Sequence, residues 1–457
     1  MMAFFDASDP RPVHFMGVGG AGMNPLAAMV HSRGIVVTGC DLDPSGADDL
    51  VARGVAVEQG HDPSHVDGAR AVVVTAAVPS DHPELARARE LGLPILPRKT
   101  LLAELVQGAC VVGVAGTHGK TTTTTMATDA LSAAGLDPTG IAGGRVRSWG
   151  GNIRIGSPGL YVVEADEYDQ AFLELHPTIA VVTNVEADHL DSYGSVAAME
   201  SAFVEFAERA ERVIAGMDDP GAVRVLDRLG GNVWRFGFEG GDLAITGLEQ
   251  TPGGTTATVS VPERGTVELR LRVPGLHNVR NAVAALGVVA ALDGPLEPAL
   301  EALAAFDGVG RRFERLGEAG GVEVVDDYAH HPTEVCATIQ AARQVFPGRR
   351  LVAVFQPHLY SRTKRLGEAL GEALGAADVV VVTDVYAARE QPVAGVSGQL
   401  VADAARQSGA TTIYEPDRAQ VGRRVREVIE RGDLLLTLGA GDITRVGRDL
   451  VEWPAVA

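Results

Sequence analysis

The sequence predicts an α/β protein of three domains built around parallel sheets. Three observations carry this. The chain has 457 residues, and at about 150 residues per domain three domains is the first expectation. Short apolar runs alternate with helix-length segments, the pattern of βαβ units. Finally, 55 glycines against an aromatic share of 5% suit many tight strand-to-helix turns.

The elements follow in order. Residues 13–16 run into glycines, 35–38 follow a helical stretch and 71–75 form a third short strand. Pro97, a leucine-rich helix and Gly108 make the connection to a second region. That region opens with a strand at 111–115, a glycine-bearing loop and a threonine-rich helix ending near Gly135. Further strands are expected at 160–163, 179–183 and 212–215. From Thr255 to Val273 the pattern changes to apolar/polar alternation around Arg264-Gly265, which reads as an antiparallel hairpin. After Gly310-Arg311-Arg312, strands are expected at 322–325, 351–355, 379–383 and 434–438. Each of these ends in polar residues, such as Asp326-Asp327, Gln356-Pro357-His358 and Asp384. In open parallel sheets the carboxyl ends of strands carry the ligand site.

Composition narrows the classes. With 46% hydrophobic and 21% charged residues, the chain is neither disordered nor fibrous. A net charge of -20 argues against nucleic-acid partners, while leaving room for a local anion pocket. Cys40, Cys110 and Cys336 are scattered singly, which excludes a disulfide scaffold or a CxxC cluster and points to a reducing compartment. The longest apolar run near a helix, 282–292, is far short of the roughly 20 residues of a spanning helix. The amino terminus lacks a basic region before an apolar stretch. A cytoplasmic protein without membrane insertion is expected.

Four motifs carry chemistry. Gly116-Thr117-His118-Gly119-Lys120-Thr121-Thr122 stands between a strand and a helix, where backbone N–H groups and the helix N-terminus cradle phosphate oxygens. Lys120 can neutralise β/γ-phosphates and Thr121 can ligate Mg2+. The first glycine of the usual pattern would fall at Val114, so this is a variant loop; the plainer alternative is a glycine turn with a surface lysine. Glu164-Ala165-Asp166-Glu167 and Asp188-His189 end neighbouring strands, and a carboxylate and an imidazole there could share a divalent ion. Asp166 and Glu167 read equally as a solvated acidic strand end. Gly17-Val18-Gly19-Gly20-Ala21-Gly22 fits G-x-G-x-x-G, with Asp41 as the acidic ribose partner; a dinucleotide, a nucleotide-diphosphate sugar or close helix packing alone would each use these glycines. The last motif joins residues 326–334 to 356–362, bringing imidazoles, a phenol and a guanidinium to adjacent strand ends. Arg362 there is the natural carboxylate clamp. A metal site from His330, His331 and His358 is disfavoured, since adjacent strand-end histidines point opposite ways. Asn278 and Asn281 open the helix after the hairpin, where asparagine is first of all a cap.

Taken in chain order, HFMGVGGAGM, GTHGKTTTT, EADEYD, VTNVEADHLDSYG, GLHNVRNAVAA, GVGRRFERLG, VDDYAHHPTEV, FQPHLYSRT and LGAGDI resemble the Mur ligase family over nearly the whole chain. DDYAHHPTE and QPHLYSRT narrow the resemblance to the muramate-acting branch. It implies a Rossmann-like UDP-sugar domain at 1–107 and a central P-loop-type ATPase domain at 108–312, with a parallel sheet plus a small antiparallel sheet. A Rossmann-like amino-acid domain follows at 313–457. The implied activity is ATP-dependent joining of L-alanine to the lactyl carboxylate of UDP-N-acetylmuramate through an acyl phosphate, in peptidoglycan synthesis. Mg2+ is the implied ion, with Mn2+ as a substitute, and the working form is a monomer or weak homodimer whose domains close on binding.

By resemblance, Gly17, Gly19, Gly20, Ala21, Gly22 and Asp41 meet the UDP part, and Asn152 and Arg154 lie near the muramoyl group. Gly116, Thr117, His118, Gly119, Lys120, Thr121 and Thr122, with Asn278, Asp327 and His331, bind ATP. Thr121, Glu164 and His189 hold the metal. Lys120, Glu164, His189, His330 and Arg311 are the implied catalytic set, and Tyr328, His330, His358 and Arg362 surround the amino acid. Leu359 stands where many alanine-adding members carry arginine. No lysine that could be carbamylated follows Ser192-Tyr193-Gly194, as is common in that branch. The competing readings are a recycling ligase that adds a preformed peptide, a nicotinamide-dependent oxidoreductase built on 17–22, and a catalytically silent UDP-sugar sensor.

Overall fold

The first glycine-rich stretch sits on a five-stranded parallel sheet in the order Ala56–Gln59, Val37–Asp41, Val13–Met16, Ala71–Val74, Ile95–Pro97. The computed structural model describes residues 6–238, 240–388 and 390–452. The strand expected at 35–38 runs instead from Val37 to Asp41, two residues beyond the Arg33-Gly34 turn that ends the preceding helix. Ala56–Gln59 and Ile95–Pro97 carry no clear strand pattern in the sequence. They are short edge strands, and Ala56–Gln59 in particular lacks a buried face.

A second, ten-stranded sheet is centred on Cys110–Ala115, flanked by Ile179–Val182 and Ser157–Glu164 in parallel register. The helix Lys120–Ala133 follows this central strand. Its threonines are buried, which is costly for a hydroxyl left without a partner. Thr125 and Thr128 solve this by donating back to the carbonyls of Thr121 and Thr124, at 2.8 and 2.7 Å. The expected hairpin forms from Gly254–Val261 and Gly265–Leu271, with every second residue of the first strand buried. It does not stand apart: these strands extend the edge of the parallel array, so the second sheet is mixed.

A third, six-stranded sheet has the order Glu314–Ala319, Val322–Asp327, Leu434–Leu438, Leu351–Phe355, Val379–Val382, Thr411–Tyr414. Only Glu314–Ala319 is antiparallel to its neighbour. The strand expected at 322–325 continues through Asp326 and Asp327, and both are buried. The polar ending read there from the sequence is therefore inside the strand.

The fold is thus a three-domain α/β fold, yet its three sheets divide into two compact units. The first holds the described residues up to Ile245 with Val259–Val267 and Asn281–Leu303; the second holds Thr246–Thr258, Glu268–Arg280 and the described residues from Ala304. The first two sheets share a unit because one hydrophobic core runs from Val13 and Leu26 through Leu101, Leu105 and Val111 to Phe172, Phe203 and Phe206. Arg33 reinforces the junction, donating to the Leu105 carbonyl and, at 3.0 Å, to the Tyr161 hydroxyl.

Candidate active site

In the first unit, the strand Val13–Met16 ends in a turn that Gly17 makes with φ +74. The amides of Gly17 and Val18 donate to the Cys40 carbonyl at 2.8 and 3.1 Å. Gly20 donates back to Gly17, and Gly20 in turn accepts from Met23 and Asn24 as the helix Asn24–Ser32 begins. Asp41 closes its strand beside this loop and accepts from the amides of Gly19 and Asp43 at 2.9 and 3.0 Å. Asn152 reaches the loop as well, donating to the Ala21 carbonyl at 3.3 Å. Arg154 does not join it. Its guanidinium is spent on Ser132, Asp137 and the Pro138 carbonyl, bracing the turn after the helix Lys120–Ala133. Two other cations serve the loop region. Arg98 packs against Gly22 and pairs with Asp166 at 3.5 Å, and Arg145 reaches Asp49 at 3.5 Å. No motif marks either arginine in the sequence.

The second loop is built more tightly. Gly116 has φ +139, and a Cβ there would lie 2.0 Å from the Thr183 hydroxyl oxygen; Gly119 has φ +79, and its Cβ would lie 2.6 Å from Asn281 Oδ1. Both positions exclude a side chain. Asn281 therefore lines the loop from within its helix, and Asn278 is not a cap either: it sits inside Leu276–Ala291, donating its amide to the Pro274 carbonyl at 2.7 Å. Thr183 and Asn184, which sequence reasoning passed over, hold the loop from the next strand end. Thr183 Oγ1 and Asn184 Nδ2 both donate to the His118 carbonyl, at 2.6 and 3.0 Å, and Asn184 Oδ1 accepts from the His118 amide at 2.9 Å. Thr117 is tied to Glu186 through its hydroxyl.

Lys120 opens the helix from this loop. Its ammonium donates to the Gly116 and Thr117 carbonyls at 2.6 and 3.2 Å and pairs with Glu167 at 2.8 Å. Burial works against its charge, but Glu167, Asp166 and Glu164 together hold its pKa above the ordinary lysine value. Glu167 is not a solvated strand end: it is 3% exposed, and burial pushes its carboxyl up to about 7 against the pull of Lys120. Asp166 stays half-exposed, on Arg98. Thr121 Oγ1 donates to Glu164 at 3.1 Å, and burial raises the Glu164 carboxyl too. His189 takes a left-handed conformation, φ +49. Its Nε2 lies 4.0 Å from Glu167 and 3.8 Å from Asp188, with the Tyr168 ring against it. Glu167 is thus the residue that links Lys120 to His189.

In the second unit, the structure brings Tyr328, His330, His358 and Arg362 into one cluster. The His330 ring lies 5.3 Å from that of Tyr328 and 6.2 Å from that of His358, which is stacked on Tyr386. Arg362 is buried in the first turn of the helix Tyr360–Leu374, not on a strand end, with its guanidinium 3.1 Å from His358 Nδ1. His331 caps the helix Pro332–Val345 and shares a reciprocal capping box with Glu334. It is a helix cap and not a strand-end residue. Leu359 precedes the helix Tyr360–Leu374 with φ +66 and is buried. Asp327 accepts from the amides of Phe313 and Ala329, both at 2.7 Å, and burial raises its carboxyl to about 6. Arg311 is occupied: it donates to Asp326 and to the Gly439 and Gly441 carbonyls, and its guanidinium lies 4.9 Å from the Tyr328 ring centre. Arg312 stacks on the same ring at 4.7 Å.

Three family models match along the chain: the Mur ligase family catalytic domain at residues 12–109, the Mur ligase middle domain at 114–289 and the Mur ligase glutamate ligase domain at 311–441. The chain belongs to the Mur ligase family. This Mur ligase is 47% identical to the UDP-N-acetylmuramate--L-alanine ligase of Mycolicibacterium vanbaalenii, over 96% of this chain and 95% of that protein. It is 42% identical to the enzyme of the same name from Methylibium petroleiphilum, over 97% and 98%. Among solved structures, it matches the UDP-N-acetylmuramate-alanine ligase of Thermotoga maritima with a TM-score of 0.82 and 31% identity, over 97% of this chain and 98% of that one. A murein peptide ligase from Psychrobacter arcticus matches with a TM-score of 0.74 and 25% identity, over 96% and 98%.

The pairing of Lys120 with Glu167 is testable as a unit. A double-mutant cycle of Lys120→Met and Glu167→Gln, read by chemical unfolding, is expected to give a coupling energy of about 0.5–3 kcal/mol. Additive effects would show that the two charges do not depend on one another.

Proposed function

We propose that this Mur ligase joins L-alanine to the lactyl carboxylate of UDP-N-acetylmuramate at the expense of ATP, in peptidoglycan synthesis. The observation that carries the reading is the likeness, over nearly the whole chain, to ligases of that name. Within the chain, a phosphate-type loop in the first unit and an anion-accepting cluster in the second support it. We place the domain boundaries at 107/108 and 312/313. Among the described residues no helix is long and apolar enough to cross a membrane, and the partners are three small molecules, with neither nucleic acid nor membrane insertion. The working form is a cytoplasmic monomer or weak homodimer.

The residues present fit a nucleotide triphosphate. A Cβ at Gly116 or Gly119 would strike Thr183 or Asn281, so glycine at both positions lets the loop close tightly against these side chains. Lys120 is held there as a charged donor, and the helix behind it presents its N-terminal amides. Thr121 and Glu164 lie together as oxygen donors for Mg2+ or Mn2+, with His189 as the third group in our assignment. When bound, the ion supplies charge neutralisation on the phosphate oxygens. A carboxylate is a poor acyl donor, so its oxygen attacks the γ-phosphorus of ATP, the bond to the β,γ-bridging oxygen breaks, ADP leaves and an acyl phosphate forms. Here the chain mainly positions groups and offsets charge: Lys120 releases Glu167 to meet phosphate, and Glu167 keeps His189 close. We assign Asn278, Asp327 and His331 to nucleotide binding as well. Gly17 to Gly22, Asp41 and Asn152 hold the sugar nucleotide, with Arg98 and Arg145 better placed than Arg154 to meet its charge.

The amine of alanine then attacks the acyl carbon, and phosphate leaves as the amide forms. Arg362 holds the alanine carboxylate, since a guanidinium offers two parallel donors where lysine offers a point charge. Tyr328, His330 and His358 wall the same site. Arg311, already shared among Asp326 and two carbonyls, shapes this edge from its place, and Arg312 is the cation less committed to protein groups.

Lys120→Ala is expected to abolish phosphate release from ATP in the presence of UDP-N-acetylmuramate and L-alanine while sugar-nucleotide binding survives, and Glu164→Gln and His189→Ala raise the magnesium requirement. Near-normal turnover in Lys120→Ala would defeat the loop assignment, and faster release with a preformed peptide than with free L-alanine would defeat the choice of substrate. Arg362→Ala is expected to raise KM for L-alanine about ten- to a hundredfold, with smaller changes for ATP and partial recovery in Arg362→Lys. A uniform loss for all three substrates, with a lowered Tm, would reduce Arg362 to a structural brace.

A further inference from the structure

Behind the first glycine loop, one face of the five-stranded sheet carries an uncommon set of side chains. His14 lies opposite Thr38, and Met16 opposite Cys40, in the register of neighbouring strands, so all four share a face. The helix Pro83–Glu90 and the turn Pro63–Val66 cover that face through a small core of Met16, Cys40, Val66, Val72, Leu85 and Ala88. Into this apolar setting the covering elements bring Glu84 and His65. Cys40 and Glu84 are fully buried and His14 is 1% exposed.

The distances around Cys40 match the spacing of a coordination shell. Cys40 Sγ lies 3.4 Å from His14 Nε2 and 3.4 Å from each Glu84 carboxylate oxygen. His65 Nδ1 lies 2.9 Å from Glu84 Oε1. One ligand atom from each of His14, Cys40, His65 and Glu84 falls within 4.8 Å of all the others. Around a tetrahedral Zn2+, with bonds of about 2.0–2.3 Å, neighbouring ligand atoms stand roughly 3.3–3.6 Å apart.

Hydrogen bonds reach every member of the cluster, Glu84 also accepting from the Asp62 amide at 3.0 Å, but they supply no permanent cation. A thiol has one proton to give, and Cys40 faces the carboxylate of Glu84, His14 Nε2 and, at 3.3 Å, His61 Nδ1. Glu84 is a buried carboxylate whose ion-pair partners among the described residues are the imidazoles of His61 and His65, with no Lys or Arg. A buried carboxylate without a permanent cation is costly. His14 also has the outer partner that a metal-bound imidazole uses, since its Nδ1 lies 3.0 Å from the Thr38 hydroxyl.

We propose that His14, Cys40, His65 and Glu84 form a structural site for a zinc-class divalent cation. Thiolate, imidazole and carboxylate together select zinc over magnesium or calcium. Four protein ligands leave no open position, so the ion is structural and takes no part in the ligation chemistry. Its position also supports the loop. The Cys40 carbonyl holds the Gly17 and Val18 amides, so an ion on the Cys40 thiolate anchors the strand ends from which the first glycine loop springs. The inference does not depend on the substrate assigned above.

The test uses the full-length chain, free of any histidine tag, reconstituted with zinc and passed through gel filtration. Elemental analysis is expected to find close to one zinc per chain. A chelator should lower the Tm, and zinc should restore it. Cobalt in place of zinc should show a thiolate-to-metal charge-transfer band that Cys40→Ser abolishes. Cys40→Ser and His65→Ala should each weaken zinc binding by about tenfold or more, whereas Cys336→Ser, on an exposed helix position, leaves it unchanged. Should Cys40→Ser fail to fold, the wild-type cobalt spectrum and His65→Ala decide. No retained metal with a chelator-insensitive Tm, or zinc held equally by the variants, would overturn the site.

Discussion

The ammonium of Lys120 sets the terms for much of the first unit. A lysine charge with a side chain only 14% exposed would cost several kcal/mol if left alone. It is kept by two loop carbonyls and Glu167, and each of these requires something further. The carbonyls of Gly116 and Thr117 must point inward, in a loop so closely packed that Thr183 and Asn281 leave no room for a side chain at Gly116 and Gly119. Glu167 must itself be buried, which the strand end at Glu164 and the ring of Tyr193 arrange, the Tyr193 hydroxyl donating to the Glu167 carbonyl at 2.6 Å. Thr183 and Asn184 clamp the loop from the neighbouring strand. The result is a cation already dehydrated and aimed, which a phosphate can claim from Glu167 with little reorganisation.

What is legible in the sequence divides from what is not along a physical line. The strand, glycine loop and helix from 111 to 133 are legible because local pattern and local structure coincide there: a valine run, a residue that tolerates positive φ, then a helix. The polar strand endings are legible in outline. Burial is not, because it is imposed by residues distant in sequence. Glu167 reads as solvated until Tyr193 and His189 close over it, and Asp326 and Asp327 read as a polar strand ending until the partner strands extend the sheet past them. Asn278 and Asn281 read as caps because the helix starts earlier than its polar residues suggest. Arg154 and Arg98 cannot be ranked from sequence, since each is an isolated arginine whose partners lie in other elements.

The same line explains the cluster under the first glycine loop. His14, Cys40, His65 and Glu84 fall on two strands, a turn and a helix, with no repeat spacing of the kind that marks a zinc motif in sequence. Scattered cysteines argue against a disulfide scaffold and a CxxC cluster. They say nothing about a site that takes one thiolate and draws its other ligands from the sheet's cover. The glycine loop thus rests on a polar core that the parallel-sheet pattern hides.

The loop around Lys120 is central because, in the proposed reaction, it activates the sugar carboxylate before the amine takes part. Positional isotope exchange measures this directly, by following oxygen-18 in ATP from the β,γ-bridge to the β-nonbridging positions with alanine left out. The expected result is exchange that requires UDP-N-acetylmuramate, is lost in Lys120→Met and persists in Arg362→Ala. Exchange that needs alanine, or that survives in Lys120→Met, would contradict it.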